Sequence, residues 1–271
     1  MDEDRNDGME STHQEGGATP PPPTGGEPTA EKPPNPFAAL GGVVASPTKA
    51  FAGLGNAKWT WLILPLLILM LLGAGSHFLY STRADMGTVM RRQLAKSSFA
   101  SRMTDQQIEQ AVERAEKAST AQKAIHAAII APVVILWLLF VSILYWLVFM
   151  AMGQTPRYLQ TAQVIIWSQV PVMIKGAITC IVFGLTNPTH LVEQNPIASN
   201  LGNIIGMSHL PGWAYALLSN IDIFQFWMMA LYIIGFSVVL KVEKKRVAYV
   251  IIGIFLVKVI LTTGMGFFFM K

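Results

Sequence analysis

Five separate apolar runs, each long enough to cross a bilayer as a helix, constrain this chain more than any other feature of its sequence. They fall at about 59–80, 127–152, 164–186, 221–240 and 247–270. About 30 Å of hydrocarbon needs roughly 20 helical residues at 1.5 Å each. Hydrocarbon offers no water to the backbone, so each run must satisfy its own amides as a helix. The sequence therefore predicts an all-α integral membrane protein built on a five-transmembrane-helix bundle. Composition agrees: 52% of residues are apolar and 13% charged, about half the charged share of a soluble protein. Trp59, Trp61 and Tyr80 flank the first run as interfacial anchors would. Pro65, Pro132 and Pro171 lie inside runs, where kinks are expected.

Residues 1–36 are of another kind. They hold eight prolines, five glycines and no aromatic residue, too little apolar surface to offset the entropy of ordering. A disordered, solvated N-terminal tail is expected. Its eight acids and two bases give −6, which leaves +10 on the remainder. At 37–57 an amphipathic interfacial segment is expected, lying along the membrane surface. Phe37, Leu40 and Val44 fall at helical spacing there. Ser46 and Pro47 cap a second short helix with Phe51 and Leu54 on one face. Residues 58–271 form the transmembrane domain. Between its first two spans, Thr104 and Gln107 have capping-box spacing, and Ile108, Ala111, Val112 and Ala115 make a stripe. Glu113 and Lys117 add an i,i+4 pair. Amphipathic helices packed on the bundle or the membrane surface follow from that pattern.

Basic residues set the orientation. The turn between the last two spans carries Lys241, Lys244, Lys245 and Arg246, whereas residues 187–219 contain no Lys or Arg. This contrast places the turn and the N-terminus in the cytoplasm and the C-terminus outside. The stretch 81–126 runs against it, with eight bases and five acids. Basic residues flank apolar runs rather than forming a stripe, so nucleic acid is not an expected partner. The bilayer is, and protein partners would be met through the tail or the interfacial helices.

No HExxH, GxSxG, P-loop or paired-Cys pattern is present, and Cys180 is the only cysteine. The five histidines are scattered rather than clustered as ligands. No catalytic residue, metal or cofactor is expected. The segments SPTKAFAGL at 46–54, MTDQQIEQ at 103–110, NPIASNLGNI at 195–204 and LLSNIDIFQFWMMALYIIGFSVVLKVEKKRVAYVIIG at 217–253 resemble the Yip family of multispanning membrane proteins. That family is named for interaction with Ypt/Rab GTPases, and the likeness is specifically to its bacterial branch. It covers roughly residues 37–270. The resemblance implies a helical bundle without enzymatic activity in the cell membrane. Through eukaryotic relatives it also implies vesicle traffic and membrane shaping. It assigns no partner-binding residue to this chain, and a Rab-type partner is not expected of the bacterial branch.

A membrane-organising or scaffolding role is the first functional reading. The alternative is a small-solute or ion transporter or channel using Lys175, Lys258 and Asp222, which would have to face one wet cavity. A mid-span Lys costs about 2.5–3.5 kcal/mol on the insertion scale, against roughly 3–7 kcal/mol returned by the apolar residues of the third run. One lysine is thus tolerated there with little margin. Counted from the ends of the apolar runs, Lys175 and Lys258 both sit about eleven residues deep. Asp222 starts its run near the outer edge. No direct ion pair is expected on that count. Both lysines should face the interior and bond carbonyls, hydroxyls or water, with Asp222 solvated at the mouth.

Overall fold

The structure, a computed structural model, describes residues 35–97, 99–187, 196–206 and 209–269. Apart from Asn35 and Pro36, the expected tail lies outside the described residues. Among them there is no strand; an isolated bridge joins Asn200 and Asp222.

Among the described residues five helical stretches are long and apolar enough to cross a membrane: Trp59–Arg83, Thr120–Ala151, Tyr158–Leu185, Ile223–Leu240 and Lys244–Phe268. The first consists of a 3-10 turn, Trp59–Leu62, and helix α3, Ile63–Arg83. Before it come two short helices, α1 (Pro36–Ala45) and α2 (Pro47–Leu54). After it, α4 (Met86–Lys96) and α5 (Asp105–Glu116) pack on each other. Val89 and Val112 are buried there, and Arg91 holds Glu109 through two hydrogen bonds of 3.0 and 2.9 Å. The expected capping box is formed, Thr104 with Gln107, and so is the Glu113 and Lys117 pair.

Helix α6 (Thr120–Ala151) is about 48 Å long at 1.5 Å per residue, well beyond a hydrocarbon core. Its start is set by a second capping box, Ser119 with Gln122. The third span is broken into α7 (Tyr158–Trp167) and α8 (Val170–Leu185), with Ser168 and Gln169 between. Pro171 falls in the first turn of α8, where its missing N–H is harmless. The expected kink at Pro171 is therefore a full break before it. Pro65 likewise sits in the first turn of α3, and Pro132 alone lies deep in a helix. Two short helices, α9 (Leu201–Ile205) and α10 (Gly212–Ser219), precede α11 (Ile223–Leu240) and α12 (Lys244–Phe269). Lys241 closes α11 in the left-handed conformation at φ 54°.

The core gathers around α7, whose residues 161–167 are all buried. Tyr145, Phe149, Tyr232 and Phe236 form an aromatic cluster beside it, with Phe149 and Phe236 centroids 4.6 Å apart. Gln169 Nε2 donates to the Tyr232 hydroxyl at 2.7 Å. Gly235 lets α11 approach α7 and α2 closely: a Cβ there would stand 2.7 Å from Val164 Cγ1 and 3.2 Å from the Phe51 ring. Gln160 Nε2 donates to Gly55 O and Gln163 Nε2 to Lys58 O, at 3.2 and 3.0 Å. These contacts lock α2 and the start of α3 onto α7 and α11. The segment expected to lie along the membrane surface thus buries Phe51 and Leu54 in the bundle. On α1 the buried residues are Ala39 and Val43, while Phe37 and Val44 stay exposed.

Candidate functional site

The polar residues singled out from the sequence fall near one level of the bundle, the end opposite Lys241. The register of α7 against α11 puts them there. With Val164 facing Gly235 and the helices antiparallel, Lys175 comes opposite Phe224, two residues from Asp222.

Lys175 Nζ donates to Asp222 Oδ2 at 2.7 Å and lies 5.9 Å from the centre of the Phe224 ring. Ser199 Oγ donates to the same oxygen at 2.7 Å, and the Phe224 amide to Oδ1 at 2.8 Å. Asp222 is the N-cap of α11, so its charge also meets the positive end of that helix. The side chains are 22% and 8% exposed, which makes this a largely desolvated pair. Backbone bonds from Leu201 N to Ile221 O and from Ile223 N to Ser199 O, both 3.2 Å, hold Ser199 in place.

The expectation that Lys175 and Asp222 stay apart, with Asp222 solvated at the mouth, is overturned. The reason is a miscounted origin. The helix that carries the third span begins at Tyr158, six residues before the apolar run from which the depth was counted. Its polar first turns (Gln160, Thr161, Gln163) look like a loop in sequence. Lys175 is seventeen residues past Tyr158, about 25 Å. Asp222 is eighteen residues before Leu240, about 27 Å from the same side. The two are level.

Lys258 behaves differently. Its ammonium donates to Gln225 Oε1 at 2.8 Å and stands 5.7 Å from the Phe255 ring centre. The residue is exposed on the bundle surface, so the expectation that it faces the interior is corrected. Nearby, Asn220 Nδ2 donates to Thr262 Oγ1 at 3.0 Å, and the Tyr215 hydroxyl to Asn203 Oδ1 at 2.8 Å. Sequence reasoning missed Ser199, Gln225 and Asn220. For Gln225 and Asn220 the available signal was their place around the start of a span, where helix caps collect polar residues; Ser199, 23 residues before Asp222, carried none. Chemically the cluster is a neutralised pair plus one further cation. Among the described residues no group of His, Cys, Asp and Glu could hold a metal ion.

Comparison with known families decides what this bundle is. The model of the Yip1 domain matches residues 41–265. The chain belongs to the Yip1 family. The match begins within α1, ends within α12 and excludes the tail. It stops at the family, and the bacterial branch read from the sequence is not borne out. No curated protein and no solved structure matches the chain. This Yip1 protein is accordingly a multispanning membrane protein of a family not known for enzymatic activity.

Proposed function

We propose that this Yip1 protein is a non-enzymatic membrane-organising or scaffolding protein of the cell membrane, with the basic turn at 241–246 in the cytoplasm. The observation that carries the reading is the disposition of the three polar residues. A transport path would need them lining one shared wet cavity. Instead Lys175 and Asp222 satisfy each other beside Ser199, and Lys258 caps Gln225 at the bundle surface. A closed ion pair at a helix start is a tie between spans, which suits a rigid platform. The exposed charges of the basic turn support the orientation.

Crosslinking and pull-down from native membranes, with and without residues 1–36, tests the role. A reproducible protein partner is expected. Solute-dependent flux in liposomes without any partner would favour the transporter reading. Labelling of a cysteine at position 244, in a Cys180→Ser background, tests the orientation. Reaction with an impermeant reagent in intact cells would reverse it.

A further inference from the structure

We propose that α1 and α2 form a re-entrant hairpin, sunk in the leaflet on the Lys241 side and turning at Ser46 and Pro47. Its partner is the acyl chains of that one leaflet. This does not depend on the scaffolding role.

Depth comes from register. Phe51 packs on Gly235, and a Cβ on Gly55 would stand 3.2 Å from Val239 Cγ2. Both contacts pair residues of α2 and α11 at the same offset, with the helices running the same way. Extended by one turn, the offset sets Pro47 level with Leu231. That is nine residues before the end of α11, about 14 Å into the bundle. The same register on α7 reaches Ser168, where the third span breaks. Helix α1 packs on α2 and also reaches α8, which begins at that break.

The chain reverses sharply at this depth. Gly42 and Ala50 bring their Cβ positions to 3.5 Å, whereas eight residues of continuous helix would separate them by about 12 Å. Hydrocarbon favours a turn that satisfies backbone groups within the chain, and this one satisfies some of them. Ser46 N donates to Gly42 O, Ala50 N donates to Ser46 O, and Pro47 has no N–H.

Composition then excludes α1 as a helix lying flat at the interface, which needs a polar face. The sequence of α1, PFAALGGVVA, has no polar side chain. Its outward residues are Phe37 (71% exposed), Ala38, Gly41 and Val44. Lys49 is the one charge in the two helices, and it is exposed. It stands at the level of Ile233, about 10 Å from the end of α11. A stem of roughly 6 Å carries its ammonium towards the headgroups.

The test uses full-length protein in bilayers, Cys180→Ser, with single cysteines at exposed positions: Val44→Cys, Ser46→Cys and Asn56→Cys. A fluorophore on each is quenched by lipids carrying a nitroxide on the headgroup or on the acyl chain. Positions 44 and 46 should be quenched more by the chain label and should resist an impermeant maleimide from both sides. Position 56 should show the reverse. Ready labelling of position 46 from either side, or its stronger quenching by the headgroup nitroxide, overturns the hairpin. Should one variant misfold, Ala45→Cys reads the same depth.

Discussion

Lys175 and Asp222, 47 residues apart in the chain, meet at 2.7 Å because two antiparallel spans are level where these residues occur. Removing one partner of a desolvated pair leaves the other charge uncompensated, which costs about 3–5 kcal/mol. Lys175 retains some exposure, so the lower figure applies. Lys175→Met should lose about 3 kcal/mol of stability, measured by unfolding in bilayer discs. Lys175→Met with Asp222→Asn should recover much of that loss, since no charge is then stranded.

Gly235 is where α11, α7 and α2 come closest. Gly235→Ala should cost about 1–3 kcal/mol, because Val164 and Phe51 must both move. Gly253→Ala is the control. Nothing lies within 4 Å of its Cβ position, and that variant should be neutral or slightly more stable.

Lys241 adopts a conformation that favours glycine, at φ 54°. Lys241→Gly should raise stability by about 0.5–1 kcal/mol by relieving the cap. Lys241→Val should lower it, because a branched Cβ tolerates that region less. Thermal unfolding of the three proteins in one detergent decides the matter.

Asp85 caps α4 by accepting from the Thr88 hydroxyl at 2.7 Å and the Thr88 amide at 3.1 Å. These bonds hold its carboxyl below the ordinary carboxylate value. A depressed folded pKa means stability that is present above the unfolded value, about 3.9. It is lost as pH falls through the folded pKa. The stability difference between the native protein and Asp85→Asn should stay constant above about pH 5 and shrink towards pH 2.5. An unchanged difference at low pH would show that the cap does not depend on ionisation.

The spans were legible because twenty apolar residues in water-free surroundings allow one solution, and so were local devices such as the Thr104 and Gln107 capping box. The start of the third span was not. Gln160 and Gln163 read as loop residues, yet each spends its amide on a carbonyl of the chain before α3. Partners 105 residues away leave no trace in local pattern. That error in origin then hid the pairing of Lys175 with Asp222. On α1 every residue type is apolar, so periodicity alone cannot choose the stripe that Ala39 and Val43 bury.

At the opposite end of the bundle, the Arg83 guanidinium donates to the backbone carbonyls of Phe183, at 2.9 Å, and of Gly184. The hold is on the main chain, so it is blind to which side chains the last turn of α8 carries. Substitutions at Leu185 or Thr186 should pass unnoticed by Arg83. Deleting one residue between Gly176 and Val182 would rotate those carbonyls by about 100° and shift them about 1.5 Å. At this helix end the contact constrains a length more strictly than an identity.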